Sequence, residues 1–113
     1  MWLATKHGFY SVVEKSPEVF HLRARVKADL ENLRDAHVRR YGLELPAVET
    51  WPGADYRFRI VTDRETAEQA LFVLISDIDY SNFKSEIADT PDQRKKLSAY
   101  HTIWGTMAAL QTK

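Results

Sequence analysis

The sequence predicts an α+β domain: a four-stranded antiparallel sheet with helices packed on one face, in the order ββαββαα, as a ferredoxin-like or permuted ferredoxin-like sandwich. Three observations lead there. Residues 20–26 alternate, with Phe20, Leu22, Ala24 and Val26 on one side and His21, Arg23 and Arg25 on the other, which is the period of a half-buried strand. The chain then changes to helical spacing through Leu30, Leu33, His37 and Tyr41. A second passage from strand to helix follows between residues 56 and 76.

The first strand is expected over residues 2–13, with Gly8 as a bulge or bend, and Lys15-Ser16-Pro17 turns the chain into the second. The first helix is expected over residues 26–41. Arg39 and Arg40 suit the negative end of its dipole, and Gly42 suits the left-handed position that ends it. Residues 48–51 and 56–61 form a hairpin around Pro52-Gly53, in which Tyr56, Phe58 and Ile60 alternate with Arg57 and Arg59. Thr62 and Glu65 match a capping box, opening a helix that points Ala67, Ala70, Leu71 and Leu74 inward and runs to Ser76. Residues 77–89 read as a turn and a short helix capped by Ser81, with Tyr80, Phe83 and Ile87 on one side. Thr90-Pro91-Asp92-Gln93 is a second capping box. The last helix follows it, with an apolar stripe of Leu97, Tyr100, Trp104, Met107 and Leu110 whose expected place is the core.

A length of 113 residues suits one domain, 1–113. Apolar residues make up 44% and charged residues 28%, so the chain has the composition of a folded globule. Sixteen basic residues balance sixteen acidic ones, which argues against a strong non-specific nucleic-acid binder while allowing a local basic face. There is no cysteine, so disulfides, thiolate catalysis and cysteine-ligated metals are excluded. Lys6 and His7 interrupt the N-terminal apolar residues, and the longest apolar run, residues 70–75, is too short to span a bilayer. Neither a signal peptide nor a membrane association is expected, and the expected location is cytoplasmic.

Motifs spread along the chain carry a resemblance. Trp2, Thr5, Lys6, Gly8, Phe9, Tyr10 and Ser11 come first, then Arg23 and Arg25, then Asp55, Tyr56, Phe58 and Arg59. Asp79, Tyr80, Asn82, Phe83 and Lys84 follow, and Tyr100, His101, Trp104 and Met107 close the pattern. On these residues the chain resembles a group of short bacterial proteins that form a domain of unknown function. His7 departs from the aromatic residue expected there. The resemblance covers nearly the whole length and implies a single domain; it implies no activity.

The leading chemical feature is a basic sheet face. Arg23 and Arg25 share the polar side of one strand, and Arg57 and Arg59 that of another. Placed on neighbouring strands, they form a cluster able to hold phosphate or carboxylate groups bidentately. With Tyr10 on the same face, the arrangement is that of sheet platforms that stack single-stranded bases. The competing reading pairs these arginines with Asp or Glu from the helices or from a partner chain.

Asp77, Asp79 and Ser81 match the first ligand offsets of a calcium loop, but Asn82 replaces the turn glycine and Ala88 the closing carboxylate, so no metal site is expected. His7, His21, His37 and His101 lack paired metal spacing, and His37 on an apolar stripe reads as a hydrogen-bonded core residue. No serine elbow, P-loop or dinucleotide fingerprint occurs, and no cofactor is expected.

Three functions are therefore carried forward. The first is a non-enzymatic binding module using Arg23, Arg25, Arg57, Arg59 and Tyr10 to engage an anionic ligand, a nucleic acid or a partner protein. The second is a small enzyme using His101 with Asp79 or Lys84 in a pocket between the sheet and the last helix. The third is an assembly subunit, for which the aromatic content suits a homodimer.

Overall fold

The alternating run becomes the middle strand of a five-stranded antiparallel sheet in the computed structural model, which describes residues 1–111. The strands are β1 (Trp2–Ala4), β2 (Phe9–Ser16), β3 (Val19–Ala24), β4 (Glu49–Thr50) and β5 (Phe58–Thr62), in the order β1-β2-β3-β5-β4. The helices are α1 (Lys27–Tyr41), α2 (Arg64–Ser76), α3 (Phe83–Asp89) and α4 (Leu97–Ala108). Contacts cluster into two units, Met1–Ile78 and a second beginning at Asp79.

The fifth strand corrects the expected four. The segment expected as one bent strand folds back on itself at Thr5 and Gly8, whose backbones exchange hydrogen bonds of 3.0 and 3.3 Å. The Thr5 hydroxyl closes the turn, donating to the Gly8 carbonyl at 2.9 Å and accepting from the His7 amide at 3.1 Å. Gly8 is needed for space: a Cβ there would lie 2.4 Å from the Cβ of Asp29 on α1. The turn is tied to that helix. Asp29 accepts from the Phe9 amide at 3.2 Å, and Asn32 donates to the His7 carbonyl at 2.9 Å.

Register assigns the two faces. Val12, Leu22 and Ile60 lie in one row across β2, β3 and β5, and Ala24 pairs with Phe58. These residues meet Leu30 and Leu33 of α1 and Ala67, Ala70 and Leu74 of α2, so both helices cover the same face. Tyr10 has the parity of Val12. It is buried in this core, and its hydroxyl donates to the Asp29 carbonyl at 2.6 Å. It does not share the arginine face, contrary to expectation. His37 is buried as expected and donates from Nδ1 to the Leu43 carbonyl at 2.8 Å.

The helix starts differ from expectation for local reasons. Thr62 stays in the ladder opposite Phe20, so Asp63 is the first residue free to cap α2, and it accepts from the Thr66 amide at 2.8 Å. Asn82, rather than Ser81, caps α3 and accepts from the Ser85 amide at 2.9 Å. The Thr90 hydroxyl donates back to the Glu86 carbonyl at 2.8 Å, so it ends α3 instead of starting the last helix. A short 3₁₀ turn, Arg94–Lys96, intervenes before α4.

Within the second unit, the rings of Phe83 and Tyr100 meet edge to face at 5.0 Å, and Lys84 sits 4.6 Å from the Trp104 ring centre. The α4 stripe is not core. Tyr100 is buried, whereas Trp104, Met107 and Leu110 are exposed. Among the described residues, no helix is long and apolar enough to cross a membrane.

Candidate anion-binding face of the sheet

The face opposite the helices carries one polar row. Trp2 pairs with Ser11, Ser11 with Arg23, Arg23 with Arg59, and Arg59 with Glu49, so the row crosses all five strands. Paired residues of antiparallel neighbours point to the same face, which places Arg23 and Arg59 side by side. Arg25 follows two residues after Arg23, just past the end of β3. Its guanidinium and that of Arg23 both rest on the Tyr56 ring, at 4.0 and 4.6 Å from its centre.

Each guanidinium has a distinct setting. Arg59 is 5% exposed and donates from Nε to the Tyr56 carbonyl at 3.3 Å. Its NH1 lies 3.1 Å from Nδ1 of His21, and its Cζ lies over the Trp51 ring, 4.5 Å from the centre. Arg23 is half-buried and donates to the Ser11 hydroxyl at 2.6 Å. Its Nε is buried and, among the described residues, finds no hydrogen-bond partner. Arg25 is exposed. Arg57 lies just outside β5, exposed, and its carbonyl accepts from the Trp51 amide to close the hairpin. The expected group of four arginines is thus a group of three, joined by Trp51 and Tyr56.

Among the described residues, no carboxylate lies within ion-pair distance of Arg23, Arg25 or Arg59. Acids elsewhere do pair: Glu14 and Glu18 hold Arg64, Glu31 holds Arg34, and Asp77 meets His7. The internal pairing weighed against the anion site is therefore not what these three arginines do. Because Arg59 donates to Nδ1, His21 must present a lone pair there and carry its proton on Nε2. Burial, followed by the nearby Arg59 charge, holds the His21 pKa below its ordinary value.

The enzyme residues are not assembled in this way. His101 is exposed on α4 and has no hydrogen bond to Asp79 or Lys84 among the described residues. The structure does supply a histidine–carboxylate contact that the sequence did not reveal, His7 Nε2 to Asp77 Oδ2 at 2.7 Å. Asp77 also lines an open cleft of about 530 Å³ with Arg39, Arg40, Tyr41 and Phe72 at the C-terminal ends of α1 and α2. No three His, Asp or Glu side chains among the described residues are placed to hold a metal ion.

Sequence reasoning overlooked Ser11, Trp51 and Tyr56 as members of the arginine face. Ser11 was open to discovery by parity, since Ser11 falls opposite Val12 on the strand. Alternation sets Tyr56 with Phe58 and Ile60, away from the arginines, but Tyr56 and Trp51 sit outside the regular strands, where parity gives no direction. No family model, curated protein or solved structure matches this chain.

Proposed function

We propose that the chain is a non-enzymatic binding module whose sheet face takes one compact oxyanion, a phosphate or carboxylate group of a small ligand, at Arg23 and Arg25. The observation that carries this is the stacking of both guanidiniums on Tyr56 with no carboxylate partner among the described residues. A contact with a ring face gives a guanidinium N–H group no acceptor lone pair, so these donors remain for an oxyanion. Arg59, held by His21, lies beside Arg23 on the same face, and the Ser11 hydroxyl accepts a hydrogen bond from Arg23. The patch holds three arginines and the whole chain is neutral, which favours a compact anion over a nucleic-acid backbone.

The test is a titration with inorganic phosphate, followed by backbone amide shifts of β3 and of the turn after β4. Arg25→Ala is expected to weaken binding about tenfold, since a hydrogen bond to a charged group is worth roughly 1.5–3 kcal/mol. Its melting temperature should fall only slightly, because the exposed Arg25 contributes a single cation–π contact with Tyr56. Equal binding by wild type and variant, or no shifts in wild type, would sink the reading.

A further inference from the structure

Tyr56 is the odd member of the anion site. It is 3% exposed, yet it belongs to the irregular turn between β4 and β5. Its backbone is anchored: the carbonyl accepts from Arg59 at 3.3 Å, and the amide donates to Oδ1 of Asp55 at 2.9 Å. Its buried ring lies against Arg23 and the exposed Arg25, the two residues that would meet an incoming anion. The packing is imperfect in polar terms. The Tyr56 hydroxyl and the Nε of Arg23 are both buried, and neither has a hydrogen-bond partner among the described residues.

A buried donor left unmade costs stability, and here two such groups lie in one contact. Rotating the ring outward about χ1 returns the hydroxyl to water and uncovers the buried Nε of Arg23. The anchored backbone need not move for this. An oxyanion then offers Arg23 the acceptor that the protein does not.

We infer that the Tyr56 ring is a displaceable plug: it occupies the oxyanion's place between Arg23 and Arg25 and leaves when the anion binds. This rests on the binding function proposed above and adds its regulation. Part of the intrinsic affinity is spent on opening the site, so apparent affinity scales with the fraction of molecules that are open. The alternative is a rigid platform, in which the ring stays and orients both guanidiniums for the ligand.

Inorganic phosphate, titrated calorimetrically at constant ionic strength into wild type, Tyr56→Phe and Tyr56→Ala, separates the two. A plug predicts effects of opposite sign. Tyr56→Phe keeps the ring and removes the unmade hydroxyl, so it melts higher and binds phosphate roughly threefold more weakly. Tyr56→Ala removes the plug and binds about tenfold more tightly. Adding Arg25→Ala to Tyr56→Ala takes that gain away. If Tyr56→Ala binds no more tightly than wild type, the ring is a platform and the inference is lost. Should Tyr56→Ala fail to fold, Tyr56→Phe decides alone, and unchanged or tighter binding by a more stable protein overturns the plug. Phosphate binding by wild type with either adverse result defeats only the plug. No binding by any of the proteins defeats the binding function and the plug together.

Discussion

A guanidinium buried without a carboxylate must be satisfied some other way, and Arg59 does it with a carbonyl, a neutral histidine and an indole face. The neutrality of His21 is part of that arrangement. Its folded pKa is depressed, so below about pH 6.5 the unfolded chain takes up a proton that the folded chain refuses. Stability should fall as pH drops from there toward the folded value and then level off. His21→Gln should flatten this limb in thermal melts between pH 7 and pH 5; an unchanged limb would assign it to other groups. Gly8 makes a second test at the same scale. Gly8→Ala forces a methyl to within 2.4 Å of the Asp29 Cβ and should cost about 1–3 kcal/mol in chemical denaturation. A cost near zero would mean that the turn and α1 can move apart.

The elements differ in how well the sequence announces them. Asp63 lies at the start of α2, and its carboxyl, hydrogen-bonded to Thr66, is held below the usual carboxylate range. That capping contribution is present above the ordinary Asp pKa and is lost as pH falls through the folded one. Asp63→Ala should lower the melting temperature at pH 7 and have no effect once the wild-type carboxyl is protonated; a pH-independent deficit would deny the cap. Thr62 and Asp63 are both good caps, and only the pairing of Thr62 with Phe20 decides between them. That is long-range information. β3 was legible because residues 20–26 alternate without interruption, and α1 because its stripe ends on Gly42. The β1–β2 turn was not, because its glycine answers to Asp29, a residue of another element. Tyr10 was misplaced for a related reason: Phe9 and Tyr10 are both aromatic, so alternation alone cannot say which faces the core. Arg23, Arg25 and Arg59 were legible as a surface, but their contacts with Trp51 and Tyr56 depend on a turn whose shape parity does not encode.

At the scale of the whole molecule, the apolar load is unevenly spread. Trp2, Trp51 and Trp104 are 69%, 38% and 62% exposed, while the core of the first unit is mostly aliphatic. Tryptophan emission of the native protein should therefore already be red-shifted and move little on unfolding, whereas far-ultraviolet dichroism changes fully. A large blue-shifted native emission would mean that one of these indoles is covered in solution, with α4 the first place to look. The α4 stripe reads as core from periodicity, and its exposure of Trp104, Met107 and Leu110 shows the limit of that rule. Helical spacing marks an apolar face and does not say what meets it.

The outermost strands are short: β1 has three residues and β4 two. The part of β2 that runs on past β1 carries Glu14 and Lys15, and Pro17 follows it. An extended chain from another molecule thus finds few unpaired backbone groups to template on, and charges where it would dock. At the β1 border the sheet offers little to a strand of another molecule, which guards a chain with exposed indoles against edge-to-edge association.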